Sequence, residues 1–168
     1  MIKQISCTHD WNHSLSHLLV DCVNDGASIN FLAPLTLKKA HDYWDSVVLS
    51  DTHSCLIAID EGKAVGTVQL LCSEKENGRH RAEIAKLMIH PNFRKKGLAS
   101  QLMNQAEQLA VSKGIQLLTL DTEKGSSANA LYQQLGYTFA GSIPHYAQSA
   151  LSHKIEATNF YYKQVGSL

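Results

Sequence analysis

The stretch that decides the fold is HPNFRKKGLASQL, residues 90–102, in which a basic turn leads directly into a segment of helical periodicity. Three consecutive basic residues, 94–96, precede Gly97, and apolar residues recur at helical spacing from Leu98 onward. The first turn of a helix has backbone N–H groups without intrahelical partners and carries partial positive charge. A glycine there lets the backbone approach a ligand closely. The stretch therefore predicts an anion site at the start of a helix, with a solvated basic turn as the alternative.

The composition of the chain limits what this anion can be. Lys plus Arg equals Asp plus Glu at 15 each, so no global field attracts nucleic acid or an anionic membrane. The sequence contains neither G-x-x-x-x-G-K-[ST] nor G-x-G-x-x-G, which excludes two common phosphate-binding loops. A length of 168 residues and a hydrophobic content of 44% predict one domain, residues 1–168, with its own core.

The cysteines, the histidines and the N-terminal residues indicate where in the cell the protein works and whether it binds a metal. The four cysteines are scattered with no C-x-x-C pair, which is typical of reduced, intracellular thiols. Residues 1–4 lack the apolar block of a signal peptide, and no apolar stretch reaches membrane-spanning length. His9, His13 and His17 repeat every four residues, but His13 and His17 fall opposite the apolar stripe of their helix. We therefore expect a cytoplasmic protein without a bound metal.

Hydrophobic periodicity predicts a β-α-α-β-β-β-α-β-α-β-β order along the chain. In the second helix, capped by Thr36, the apolar stripe continues to Val47 and Val48. This order predicts an α/β fold, a mixed and mostly antiparallel sheet with helices on both faces. The predicted strands are 2–7, 55–60, 64–72, 81–89, 115–121, 137–143 and 156–163. The first predicted helix has its apolar face at 15–23 and ends near 24–26, and the other predicted helices are 37–48, 97–113 and 126–135.

Residues 94–99, RKKGLA, match the [RQ]-x-x-G-x-[GA] signature of the GNAT N-acetyltransferase superfamily. The similarity extends through AEIAKLMIHPNFRKKGLASQLM, IQLLTLDT and ANALYQQLGY in the same order. The chain therefore resembles this superfamily, which implies the GNAT fold and transfer of acetyl from acetyl-CoA to an amine. The segments DGASINFLAPL, RAEIAKLM and LDTEKGS further resemble the tabtoxin-resistance acetyltransferase. That resemblance implies a small acceptor such as a toxin, an antibiotic or an amino-acid-like metabolite.

The resemblance also assigns the basic turn to acetyl-CoA. It implies that main-chain N–H groups of residues 95–100 bind the pyrophosphate, and that the basic side chains add mobile charge for further phosphates. The preceding strand pairs its backbone with the pantetheine arm, and one N–H group there polarises the thioester carbonyl. The cofactor-binding residues implied in this way are Leu87, Met88, Ile89, Arg94, Lys95, Lys96, Gly97, Leu98, Ala99 and Ser100.

Three residues are candidates for the proton chemistry, since acetyl transfer to an amine removes one proton and delivers another to the departing thiolate. The resemblance implies that Tyr132 protonates the sulfur, with a core aromatic as the alternative. Glu83 and Asp121 are candidate general bases, because a carboxylate in apolar surroundings can accept a proton near neutral pH. Alternatively, Glu83 pairs with Arg81 or Lys86, and Asp121 caps the turn that follows it.

The acceptor is less well defined by the sequence. The resemblance implies a pocket made by the loop 26–31 and the connection 144–147, in which Phe31 and Tyr146 would bind substrate. Gly125 occupies the place of an asparagine that contacts CoA in many family members, so the resemblance does not extend to that contact. Acetylation of a protein N-terminus or lysine, and a catalytically silent CoA-binding module, stay open as alternatives. We expect a monomer or a homodimer that binds neither nucleic acid nor membrane.

Overall fold

The computed structural model describes residues 1–166, and their element order confirms the one expected from the sequence. The strands are β1 (Ile2–Ile5), β2 (His53–Asp60), β3 (Lys63–Cys72), β4 (Arg81–Ile89), β5 (Leu117–Glu123), β6 (Thr138–Gln148) and β7 (Ile155–Gln164). The helices are α1 (Asn12–Asn24), α2 (Leu37–Ser46), α3 (Leu98–Ser112) and α4 (Ala128–Gln134). Over this part of the chain, no helix combines the length and apolarity that a bilayer span requires.

The seven strands form one sheet in the order β1-β2-β3-β4-β5-β7-β6. Every neighbouring pair is antiparallel except β4 and β5, which are parallel. Residues 81–83 of β4 pair with residues 117–119 of β5, and the ladder ends there. Because β4 continues for six more residues along β3 while β5 continues along β7, the sheet splits into two parts beyond this short ladder.

Each face of the sheet is covered by one pair of helices, which confirms the predicted layers. On one face, α1 and α2 enclose a core around Trp44, whose indole N–H donates to the carbonyl of Leu15 at 3.0 Å. On the other face, α3 and α4 pack a second core that includes Leu102 and Tyr132. The two cores meet the same strands from opposite sides, so the sheet holds the site between two independent layers.

Several expected boundaries are wrong, among them the ends of α2 and β6. Helix α2 ends at Ser46, and Val48 is 75% exposed instead of joining the apolar stripe. The Ser46 hydroxyl bonds back to the carbonyl of Tyr43 at 2.6 Å, and β-branched valines weaken a helix end. Strand β6 continues to Gln148, so residues 144–147 belong to a strand, and the connection to β7 is 149–154. An edge strand tolerates the proline at position 144, which has no N–H to donate.

Candidate active site

A cavity of about 780 Å³ opens where β4 and β5 separate. Its walls come from both strands, from the turn before α3, from α4 and from the loop after α1. All the site residues expected from the sequence line this cavity except Lys96, Phe31 and Tyr146. The short parallel ladder therefore brings together residues that lie far apart in the sequence.

The turn before α3 has the backbone of an anion site. Gly97 is the residue before the helix, with a left-handed φ of 77°, and Lys95 also has a positive φ of 60°. A Cβ on Gly97 would meet nothing closer than the Gln101 amide at 3.8 Å, so backbone conformation rather than crowding requires glycine here. Residues 98–100 line the cavity in the first turn of α3, where backbone N–H groups lack intrahelical acceptors.

Two of the three basic side chains of this turn contact other parts of the protein. The Arg94 Nε donates to the Ile89 carbonyl at 3.1 Å, and its guanidinium is paired with Asp25. Lys96 lies with its ammonium 4.8 Å from the centre of the Phe93 ring. The expectation of three mobile cations is therefore wrong for Arg94, which is fixed between β4 and the end of α1.

Strand β4 contains a bulge beside the cavity. Ala85 pairs with Gln69, and the next pair joins Met88 to Thr67, so β4 has one more residue than β3 in this interval. Lys86, at the bulge, has a positive φ of 52°. Because a bulge interrupts the ladder with the neighbouring strand, it can leave a backbone N–H of β4 unpaired next to the cavity. This is the place at which the resemblance implies polarisation of a thioester carbonyl.

Tyr132 is buried in α4 and lines the cavity. Its ring lies 6.0 Å from those of Tyr137 and Tyr161. Burial raises the pKa of Tyr132, and the negative charge of Asp121 raises it further. The hydroxyl is therefore protonated at neutral pH, as a proton donor must be.

Glu83 and Asp121 lie on the same face of the sheet. Glu83 pairs with Thr119, and Asp121 follows Thr119 by two residues, so both side chains leave the sheet on the α1–α2 side. Both residues keep exposed surface, but partial burial raises the pKa of each carboxylate. The charge of Asp121 raises the pKa of Glu83 further, and Lys86 opposes both shifts.

The alternative roles of these carboxylates are not seen within residues 1–166. Glu83 makes no ion pair there with Arg81 or Lys86. Asp121 lies inside β5 rather than at its end, and among the same residues its side chain caps no turn. Both carboxylates are therefore available to a molecule in the cavity.

Lys86 is a cavity residue that the sequence did not single out as functional. Its ammonium lies 5.9 Å from the ring centres of both Phe31 and Tyr43, on the α1–α2 side. Burial lowers the pKa of Lys86, while Glu83 and Asp121 raise it. Simple strand alternation places Lys86 on the face opposite Glu83, so only the bulge in β4 brings the two side chains together.

The asparagine near the missing family position has a structural role. Asn129 donates from its amide to the carbonyls of Glu123 and Ser126, each at 2.9 Å, and accepts from Asn159 and Tyr161. Its side chain is fully used by these bonds. Gly125 has a φ of 85° and offers no side chain in its place. No replacement for the family contact is therefore assigned to Asn129.

Neither the cysteines nor the histidines form a second reactive site within residues 1–166. Cys22 lines the cavity, but burial raises the pKa of its thiol to about 11, and it donates to the Ile89 carbonyl. A protonated thiol is a poor nucleophile. His13 and His17 are exposed, and this part of the chain has no group of three or more His, Cys, Asp or Glu residues suited to a metal.

The model of the Acetyltransferase (GNAT) family matches residues 12–137. The chain is 33% identical over 94 residues to the N-alpha-acetyltransferase MAK3 of Arabidopsis thaliana, covering 55% of this chain and 48% of the relative. It is 27% identical over 110 residues to the N-acetylaspartate synthetase of Xenopus tropicalis, covering 64% and 40%. The matched part of the chain thus corresponds to about half or less of the length of these curated relatives.

The fold agrees with solved structures. The yncA protein of Salmonella typhimurium, whose structure was solved with its cofactor acetyl-CoA, superposes with a TM-score of 0.80. The two sequences are 16% identical, and the superposition covers 100% of this chain and 95% of that one. At this level of identity the match supports the shared fold.

Proposed function

Because the chain belongs to the Acetyltransferase (GNAT) family, we propose that it transfers the acetyl group of acetyl-CoA to an amine. The observation that carries this proposal is the cavity between β4 and β5, which has an anion-binding turn in one wall and a tyrosine and two carboxylates in others. Its volume of about 780 Å³ lies within the usual range for small-molecule sites.

The residues present fit acetyl-CoA. The first turn of α3 and the open space beside Gly97 would hold the pyrophosphate, with Lys95 as the adjacent cation. The bulged segment of β4 around Leu87 would hydrogen-bond the pantetheine arm and direct one N–H at the thioester carbonyl. Bound acetyl-CoA supplies the activated acyl group, and backbone and side-chain groups of the chain itself bind it and move the protons.

Glu83 or Asp121 accepts the proton that the acceptor amine loses, directly or through a water molecule. The amine nitrogen then forms a bond to the carbonyl carbon while the carbon–sulfur bond breaks. Tyr132 donates its hydroxyl proton to the sulfur, so that the products are an N-acetylated amine and the free thiol of CoA. The thiol of Cys22 is protonated and therefore a poor nucleophile, and direct attack by the amine requires no acyl-cysteine step.

The test is a transfer assay with separate detection of thiol release and of the acetylated product. We expect both products in equal amounts from at least one amine, and slower formation of both by the Gly97→Glu variant at sub-saturating acetyl-CoA. Binding of acetyl-CoA without transfer to any amine would indicate a silent CoA-binding module instead. Mass spectrometry of the enzyme after a single turnover checks that no acetyl group stays on the protein.

The acceptor in this proposal is a small amine, and the support is the resemblance to the tabtoxin-resistance acetyltransferase described above. Toxin or antibiotic resistance and a cytoplasmic location belong to the same proposal. A protein N-terminus is the second candidate, favoured by the similarity to a relative named as an N-alpha-acetyltransferase. Including peptides in the amine panel distinguishes the two.

A further inference from the structure

We propose that Lys86 binds the carboxylate of the acceptor, and that the acceptor is therefore an α-amino acid or an analogue with a free carboxylate next to its amine. This inference rests on the proposed function and names the substrate class of the same site. It starts from a half-buried cation that lines the cavity and makes no ion pair within residues 1–166.

Lys86 is poorly satisfied within residues 1–166. Its ammonium makes no hydrogen bond and no ion pair there, and it lies 5.9 Å from the ring centres of Phe31 and Tyr43. Glu83 and Asp121 act on it only through longer-range charge, which raises its pKa. Aromatic faces stabilise a cation but accept none of its three N–H bonds in full. Lysines are seldom withdrawn from water without a partner. A ligand anion would supply the missing acceptors.

The backbone holds Lys86 in this position at a cost. A positive φ is uncommon outside glycine, and Lys86 has a φ of 52° at the bulge of β4. Without the bulge, alternation would direct the side chain into the α3–α4 layer. The bulge instead places it with Glu83 and Asp121 on the α1–α2 side. Strained backbone of this kind concentrates at ligand sites.

The other cations of the cavity are committed or lie elsewhere. The cations that line it within the described chain are Lys86, Arg94, Lys95 and Lys124. Arg94 is paired with Asp25, and Lys95 belongs to the turn before α3. Lys124 lies in the turn between β5 and α4. Lys86 alone stands on a strand beside the two carboxylates, at the end of the cavity where the amine must be deprotonated.

An α-amino acid matches this arrangement of charges. Its ammonium group meets Glu83 and Asp121, while its carboxylate, one carbon away, meets Lys86. A peptide N-terminus carries a neutral amide at that position, and a simple amine carries nothing. Both would leave the lysine without an acceptor, which weakens binding because a charged hydrogen bond is then unmade. The amino acid should therefore be preferred by roughly 10- to 100-fold in kcat/KM.

The experiment compares each of the standard L-amino acids with its carboxamide, which keeps the side chain and the amine but removes the negative charge. In the unmodified protein we expect kcat/KM to favour the acid by at least about tenfold. Lys86→Met should abolish this preference by raising KM for the acid, with little change for the amide when the assay pH is high enough to keep Glu83 and Asp121 ionised. Lys86→Arg should restore part of it, and Lys124→Met should keep it.

Thermal melting and acetyl-CoA affinity confirm that the Lys86→Met protein is folded and binds its cosubstrate. Equal use of acids and amides by the unmodified protein would overturn the assignment, as would equal loss for both substrates, which indicates that Lys86 only tunes the carboxylates. Acetylation of peptides or simple amines alone overturns it and leaves the proposed function standing. If acetyl-CoA binds and nothing is acetylated, both proposals are wrong.

Discussion

The wall that α4 contributes to the cavity is apolar except for the hydroxyl of Tyr132. Removing this hydroxyl alone therefore tests proton donation specifically. We expect Tyr132→Phe to lower kcat by about 100-fold or more, the usual contribution of a general acid. The dissociation constant of acetyl-CoA should stay nearly constant, because the ring and its packing against Tyr137 and Tyr161 remain. Single-turnover kinetics and calorimetry measure the two quantities.

Tyr137→Phe is the matched control for this prediction. Tyr137 is also buried, and its ring lies 6.0 Å from that of Tyr132, but its hydroxyl does not line the cavity. Its kcat should equal that of the unmodified protein. Equal losses in the two variants would show that the effect comes from the packing of the aromatic cluster and not from a proton.

The raised pKa of Glu83 predicts how the rate depends on pH. A base works only when ionised, and burial together with Asp121 raises the pKa of Glu83. The fall of kcat/KM toward acidic pH should therefore begin above the usual range of a glutamate. We expect Glu83→Gln to lose this limb and about 100-fold in rate. If Asp121→Asn changes the profile and Glu83→Gln does not, Asp121 is the base.

The same raised pKa has a consequence for stability. Between its unfolded and folded pKa values, Glu83 holds more protons in the folded state, so its ionisation lowers the free energy of unfolding as pH rises through that interval. Glu83→Gln removes this cost. We expect the variant to be more stable than the unmodified protein above the folded pKa and equally stable below the unfolded one, as measured by urea unfolding across pH.

At the level of elements, two substitutions in the turn before α3 separate the effect of backbone strain from the effect of charge on acetyl-CoA affinity. Gly97 has a left-handed φ and open space around its missing Cβ, so any side chain costs about 1 kcal/mol of stability without a clash. Gly97→Ala should lower the Tm by a few degrees and keep most acetyl-CoA affinity. Gly97→Glu should be destabilised by a similar amount. It should also bind acetyl-CoA at least about tenfold more weakly, because its carboxylate repels the pyrophosphate.

Calorimetry of the two variants side by side provides the measurement. The difference between them isolates the charge, since both carry the same strained backbone. Affinities that fall equally would place the pyrophosphate away from this turn, and the assignment of the anion site would then be wrong.

Single elements also show how far the sequence could be interpreted. The bounds of β4 were predicted correctly, because a hairpin signal before β3 and the basic turn after β4 confine these strands. The bulge inside β4 was not, since pairing with β3 creates it and no residue type marks it. Strand β6 was predicted too short because Pro144 normally ends a strand, and the edge position that tolerates it depends on the sheet order.

The candidate site also contains residues that the sequence predicted and one that it did not. Glycine at a strand–helix junction and the tyrosine of α4 carry local signals, and the structure places both in one cavity. Lys86 carries none, because its contact with Phe31 and Tyr43 joins three separate parts of the chain. Phe31 and Tyr146 stay predictions as substrate-binding residues. The Phe31 ring contacts the ammonium of Lys86 and does not line the cavity itself. The Tyr146 ring packs on Phe160 in the β6–β7 hairpin.

At the scale of the whole molecule, the site coincides with the weakest connection in the sheet. Strands β1 to β4 form one part and strands β5 to β7 the other, and their ladder joins only residues 81–83 to residues 117–119. A ligand held by β4 and α3 on one side and by β5 and α4 on the other would connect the two parts. Binding should therefore stabilise the entire fold and not only the turn before α3.

This connection predicts a large ligand effect on unfolding. CoA at about 100 times its dissociation constant adds about 2.7 kcal/mol to the free energy of unfolding, which should raise the Tm by roughly 5–10 °C. Hydrogen exchange should slow in both β4 and β5, because neither part can open while the ligand spans them. The Gly97→Glu protein provides the control, and at the same concentration a tenfold weaker affinity should reduce the added free energy of unfolding to about half. Protection confined to the turn and α3 would mean that the ligand rests on one part of the sheet, and that the gap between β4 and β5 is not its binding site.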